Sequence, residues 1–164
     1  MSEYPETLRA ISIINPFAWE ICTGQKPLEF RSWDTQHRGL TLIHTSSSRK
    51  FEGDFTEFYP EVSKTTIASM RGAIIGFATV TDSVWREEDN AFGHRMMLPA
   101  LFSKPVLCSG ALNYWKPQGK QQEQQSIAFQ AAWNAIQAEE FEKPHPDVIA
   151  SCELDYDLEL SELL

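Results

Sequence analysis

With 164 residues, 42% apolar and 12% aromatic, the chain has the material for one packed domain and is too apolar to stay disordered. No run approaches the about 18 apolar residues of a membrane span. A net charge of −9 argues against a clamp for long duplex nucleic acid, which needs many neutralised phosphates.

The opening MSEYPETLRA carries acids where a secretion signal carries basic residues, so a single cytoplasmic domain over residues 1–164, without membrane contact, is expected. Cys22, Cys108 and Cys152 form no CxxC or CxxH pair, which points to free thiols rather than a disulfide framework or a zinc site. His37, His44, His94 and His145 lack metal-ligand spacing, and P-loop, GxGxxG and GxSxG patterns are all missing. No metal and no cofactor is therefore expected.

In chain order, Leu8–Ile14 reads as a first strand. Asn15 is placed to cap a helix with Pro16 at its first position, and Gly24 to end it in a left-handed turn. Pro27–Trp33 reads as a second strand with Glu29, Arg31 and Trp33 on one face, and Leu40–His44 as a third. Residues 51–71 are helical, interrupted at Pro60. Gly72–Trp85 is apolar on both faces, as a central strand is. Arg86 opens a loop through the acidic run 87–89 to Phe92-Gly93. Short strands fit Pro105–Ser109 and Ala111–Trp115. Gln121–Phe141 is a long helix with Phe129, Trp133 and Ile136 as its buried stripe. Few helices and several Gly-marked corners predict an α+β fold around a small bent sheet or barrel.

Charge is uneven along the chain. Residues 25–50 sum to +3, and residues 139–164 to −8. The positive stretch suits one nucleotide or a short single strand. Glu29 and Arg31 can pair on one strand face, with Trp33 beside them to stack a base. Lys26, just past a helix end, is placed to hold a phosphate or a carbonyl oxygen. Asp82 shares the parity of Ile74, Ala78 and Val80, which would turn its carboxylate inward toward Lys26 or Arg31, as a water-activating base is turned. His44 precedes the hydroxyl run Thr45–Ser48, whose Ser46 can reach a phosphate or base edge.

These residues also resemble a known family. Pro16-Phe17-Ala18, then Gly24-Gln25-Lys26-Pro27-Leu28-Glu29-Phe30-Arg31, Arg38-Gly39 and Ile43-His44 are similar to the opening of the activating signal cointegrator homology (ASCH) domain of the PUA-like superfamily. Gly72-Ala73-Ile74-Ile75-Gly76 and the segment Lys104-Pro105-Val106 through Cys108, Gly110 and Trp115 resemble its later elements, so the match covers residues 11–117. Residues 118–164 read as a helix plus an acidic extension. The resemblance implies a PUA-like β-barrel with short helices at its openings and one longer helix in the C-terminal half. It also implies a cleft lined by Lys26, Glu29 and Arg31.

It further implies a nucleotide or RNA ligand. Some relatives are amidohydrolases of an acetylated cytidine that use a Lys, a Thr three residues later and a later Glu; others cut single-stranded RNA. Lys26 matches the first, Glu29 replaces the Thr nucleophile, and Asp82 stands nearest the later acid. In a binding reading, Lys26, Arg31 and Arg38 hold a phosphate, Trp33 or Trp19 stacks a base, and Glu29 reads its amine. In an enzymatic reading, amidohydrolase or ribonuclease, Glu29 or Asp82 is the base and Lys26 steadies an oxyanion. A third reading is a protein-interaction module that uses the acidic C-terminal segment.

Overall fold

The computed structural model describes residues 2–149. The expected elements form close to where the pattern places them, apart from the end of the long helix, where Phe141 joins a short strand instead, and one larger exception. The strands are β1 (Arg9–Ile13), β2 (Leu28–Arg31), β3 (Gly39–Thr45), β4 (Ala73–Arg86), β5 (Ala91–Leu107), β6 (Tyr114–Trp115) and β7 (Phe141–Glu142). The helices are α1 (Phe17–Cys22), α2 (Glu52–Phe58), α3 (Lys64–Met70) and α4 (Gln122–Gln137). The larger exception is β5. It fills the stretch read as a loop from Arg86 and absorbs the short strand expected at Pro105–Ser109.

Among the described residues the strands make one mixed sheet in the order β2-β5-β4-β3-β1-β6, with β7 added to β5. Only β1 and β3 run parallel. The long β4–β5 hairpin slips register three times. Each extra residue sharpens the local twist, and the sheet curls into a half-barrel, giving an α+β fold. Gly76 makes the close approach possible: a Cβ there would overlap the Ala100 carbonyl oxygen and come within 2.7 Å of Cys22 Sγ.

Apolar side chains divide between the two faces of the sheet. One cluster joins Ile11, Ile13, Ile43, Ile75 and Met96 to α1, α2 and α3 through Ile21, Phe55 and Ile67. The other joins Leu8, Leu42, Ile74 and Trp115 to α4 through Ala128, Phe129 and Ala132. Phe129 is fully buried, whereas Trp133 and Ile136 are half-buried and alanines complete the stripe. Cys22 and Cys108 are buried free thiols, burial pushing Cys108 up to about 11. Cys152 and most of the acidic extension lie outside the described residues.

No helix among the described residues is long and apolar enough to cross a membrane. No group of three or more His, Cys, Asp or Glu residues among them is placed to hold a metal ion.

Candidate nucleotide site

Strands β1 and β2 lie toward opposite ends of the strand order, and the curl of the sheet brings them back together. Arg31 Nη2 of β2 donates to the Ser12 carbonyl oxygen of β1 at 3.0 Å. Beside this bridge opens a cavity of about 560 Å³ lined by Ser12, Ile13, Ile14, Phe17, Lys26, Glu29, Phe30, Arg31 and Ser46. That volume falls within the roughly 300–1,000 Å³ of small-molecule sites.

Local backbone chemistry aims the first of these side chains. Pro16 immediately precedes α1 rather than opening it, and the Asn15 carboxamide oxygen accepts from Trp19 N–H at 3.0 Å. Gly24 then takes φ +82°, a conformation that glycine adopts without a Cβ clash. This turn folds the Gln25 and Lys26 N–H groups back onto the Glu20 carbonyl at 2.8 and 3.1 Å. Lys26 thus leaves the helix end pointing across the start of β2, where its ammonium donates to the Leu28 carbonyl.

The expected trio converges. Glu29 is buried, its Oε1 3.2 Å from Lys26 Nζ and its Oε2 2.9 Å from Arg31 Nη2. Arg31 Nε adds a second bond to Oε2 at 3.2 Å. Both carboxylate oxygens are therefore engaged, and Glu29 serves as the counter-ion that fixes two cations. One anion against two cations leaves a positive surplus at the cavity. Arg31 Nη1 makes no hydrogen bond among the described residues, which leaves a cationic donor for a ligand.

The other expected site residues are dispersed. Ser46 lines the cavity. Trp33 packs edge-on against His94 and Tyr114, centroids 5.0 and 5.7 Å away, with the Arg31 guanidinium 5.8 Å from its ring. Trp19 packs on Phe55 and Tyr59 and borders a separate cavity. Arg38 is exposed and donates to the Thr35 and His37 carbonyls. His44 is buried behind Ser12.

Asp82 departs most from expectation. The register shift between Val80 and Asp82 breaks the parity that would have turned it inward. Its side chain is 45% exposed and faces Arg95 at 3.7 Å, not Lys26 or Arg31.

Three contributors escaped the pattern. Phe17 and Phe30 are exposed aromatics flanking Lys26, their ring centroids 5.8 and 4.8 Å from its ammonium. Ser12 lines the cavity, and its carbonyl oxygen anchors Arg31 there. Phe30 had a signal in the alternation of β2, which turns it away from Glu29. Ser12, inside an apolar run, had none.

The family model of the ASCH domain matches residues 11–145. The chain belongs to the ASCH domain family. No curated protein matches it. Among solved structures, the ASCH protein of Zymomonas mobilis is 13% identical, with 75% of this chain and 95% of that one covered and a TM-score of 0.41. A Ser-to-Ala mutant of the Zymomonas protein is 14% identical over 74% and 94% of the two chains, with a TM-score of 0.45. Its Tyr-to-Phe mutant is 14% identical over 74% and 97%, with a TM-score of 0.44. Likeness this loose says nothing about the site.

Proposed function

We propose that this ASCH domain binds a nucleotide, or one nucleotide of a short single-stranded RNA, in the cavity between β1 and β2. The observation that carries the reading is the buried Glu29 carboxylate held between Lys26 and Arg31 on the wall of an open cavity. A cation pair fixed by its own counter-ion is preorganised, so ligand phosphate meets donors already in place. Phe17 and Phe30 add apolar rims on which a base can stack, a role better suited to them than to the enclosed Trp33 and Trp19. Family membership points toward nucleic-acid or nucleotide ligands as well. The overall acidity limits the footprint to a few phosphates.

Titration with uridine monophosphate and a short single-stranded RNA at several salt concentrations tests this. Lys26→Ala and Arg31→Ala are each expected to weaken binding about tenfold or more and to lower the salt slope by about one. Failure of both ligands to bind, or equal affinity in the variants, overturns the reading.

A further inference from the structure

Residues 144–149 run back to the loop that carries Lys26. The His145 carbonyl accepts from Val148 and Ile149 N–H at 3.0 and 3.3 Å, a turn that lays Ile149 against the end of α1. Gly24 makes room for it: a Cβ there would stand 2.9 Å from Pro144 Cβ and 3.8 Å from Ile149 Cγ1. Ile149 lines a small apolar pocket together with Gly24, Lys26, Pro27 and Met96. Lys26 also lines the nucleotide cavity, so pocket and cavity share that residue as a wall.

Charge beyond Ile149 is one-sided. Residues 150–164 hold Glu153, Asp155, Asp157, Glu159 and Glu162 and no Lys, Arg or His, a net charge of −5. Three of these acids alternate with Leu154, Tyr156, Leu158 and Leu160. The cavity has the complementary make-up. Lys26 and Arg31 outweigh Glu29, the one carboxylate among its described lining residues, and Phe17 and Phe30 are exposed beside them. A tether this short holds its far end near the cavity at an effective concentration on the order of millimolar. Contacts too weak to matter between separate molecules then count.

We propose that residues 150–164 occupy the nucleotide cavity of the unliganded protein, with carboxylates on Lys26 and Arg31 and apolar side chains on Phe17 and Phe30, and that a nucleotide displaces them to bind. The displacement rests on the nucleotide reading of that cavity; the docking does not. Exposed ion pairs of this kind are individually weak, so the segment is a competitor that a phosphate and a stacked base overcome, not a permanent plug. Its hold also falls with ionic strength, since screening at about 0.5 M salt shortens the reach of a charge to about 4 Å. Salt therefore weakens the nucleotide contact directly while it frees the cavity.

Two measurements on the full chain test this. The first attaches a nitroxide to the thiol of Ser161→Cys in a Cys152→Ser background, where Cys22 and Cys108 are buried and stay unlabelled. Amide signals of Phe17, Phe30 and Ser46 are expected to broaden and lose intensity, and that of Ile127 on α4, across the sheet, to stay sharp. Adding Asp155→Asn, Asp157→Asn and Glu159→Gln should restore the cavity signals. The second measures uridine monophosphate affinity without the label. The triple variant is expected to bind about three- to tenfold more tightly than wild type at low salt, a gap that closes near about 0.5 M salt. Cavity signals that stay sharp, broadening that survives the three substitutions, or equal uridine monophosphate affinity in variant and wild type overturns the proposal. Broadened cavity signals in a protein that binds no uridine monophosphate would sink the nucleotide reading and leave the docking standing; sharp signals in a protein that binds it would do the opposite.

Discussion

Two buried histidines of this fold are bonded alike and differ in what lies beside them. In one row, Ser12 donates to His44 Nδ1 and His44 Nε2 donates to the Cys108 carbonyl. In the other, the Tyr114 hydroxyl lies 2.7 Å from His94 Nδ1, and His94 Nε2 lies 3.0 Å from the Trp33 carbonyl. Burial lowers the proton affinity of both rings. Tyr114, however, is packed between His94, Trp33 and His37, and burial pushes its phenol further from ionisation. Ser12 borders a cavity with two cations. The same row of hydrogen bonds ties distant segments together in both places, beside an open cavity in the first and among aromatic rings in the second.

The largest expected effect breaks the structural row. His94→Ala should cost about 3–4 kcal/mol in urea unfolding, because the Tyr114 hydroxyl and Trp33 carbonyl lose partners and a cavity is left. A loss under about 1 kcal/mol would show that the row holds nothing together.

Next comes the ion cluster that frames the other row. Glu29→Ala leaves Lys26 and Arg31 facing each other, at about 2–3 kcal/mol once their partial exposure is counted. Chemical denaturation at low and high salt checks this, since screening should shrink the difference.

Titration sharpens the comparison further. His37, His44 and His94 all have depressed proton affinity, His37 down to about 4 through burial, then Arg9 and Arg38. The unfolded chain therefore binds more protons below pH 6.5, so stability is full above that value and falls as pH drops toward 4. Midpoints of thermal unfolding at pH 7 and 5 should show the drop, and His37→Gln should reduce it.

The smallest effect belongs to the inverse cluster at the β4–β5 turn, where buried Arg86 pairs with Glu88 and Asp89 at 2.8 and 2.7 Å. Asp89→Ala there should cost under about 1 kcal/mol by the same unfolding measurement, since its carboxylate is 36% exposed.

The sequence by itself determined β1 through β4, the helices and the Lys26–Glu29–Arg31 cluster, because each depends on neighbours close along the chain. Alternation marks a strand face, Gly24 ends a helix, and residues two apart on a strand meet whatever the rest of the molecule does. Only tertiary structure decided β5, where Gly93, Leu98 at φ 50°, Pro99 and Pro105 interrupt the pattern that a bent strand tolerates at its bulges. It also decided Asp82, since one slipped residue exchanges the two faces of a strand. The Ser12–His44–Cys108 row spans separations of 32 and 64 residues, and periodicity within a segment carries no information about which segments the sheet brings together.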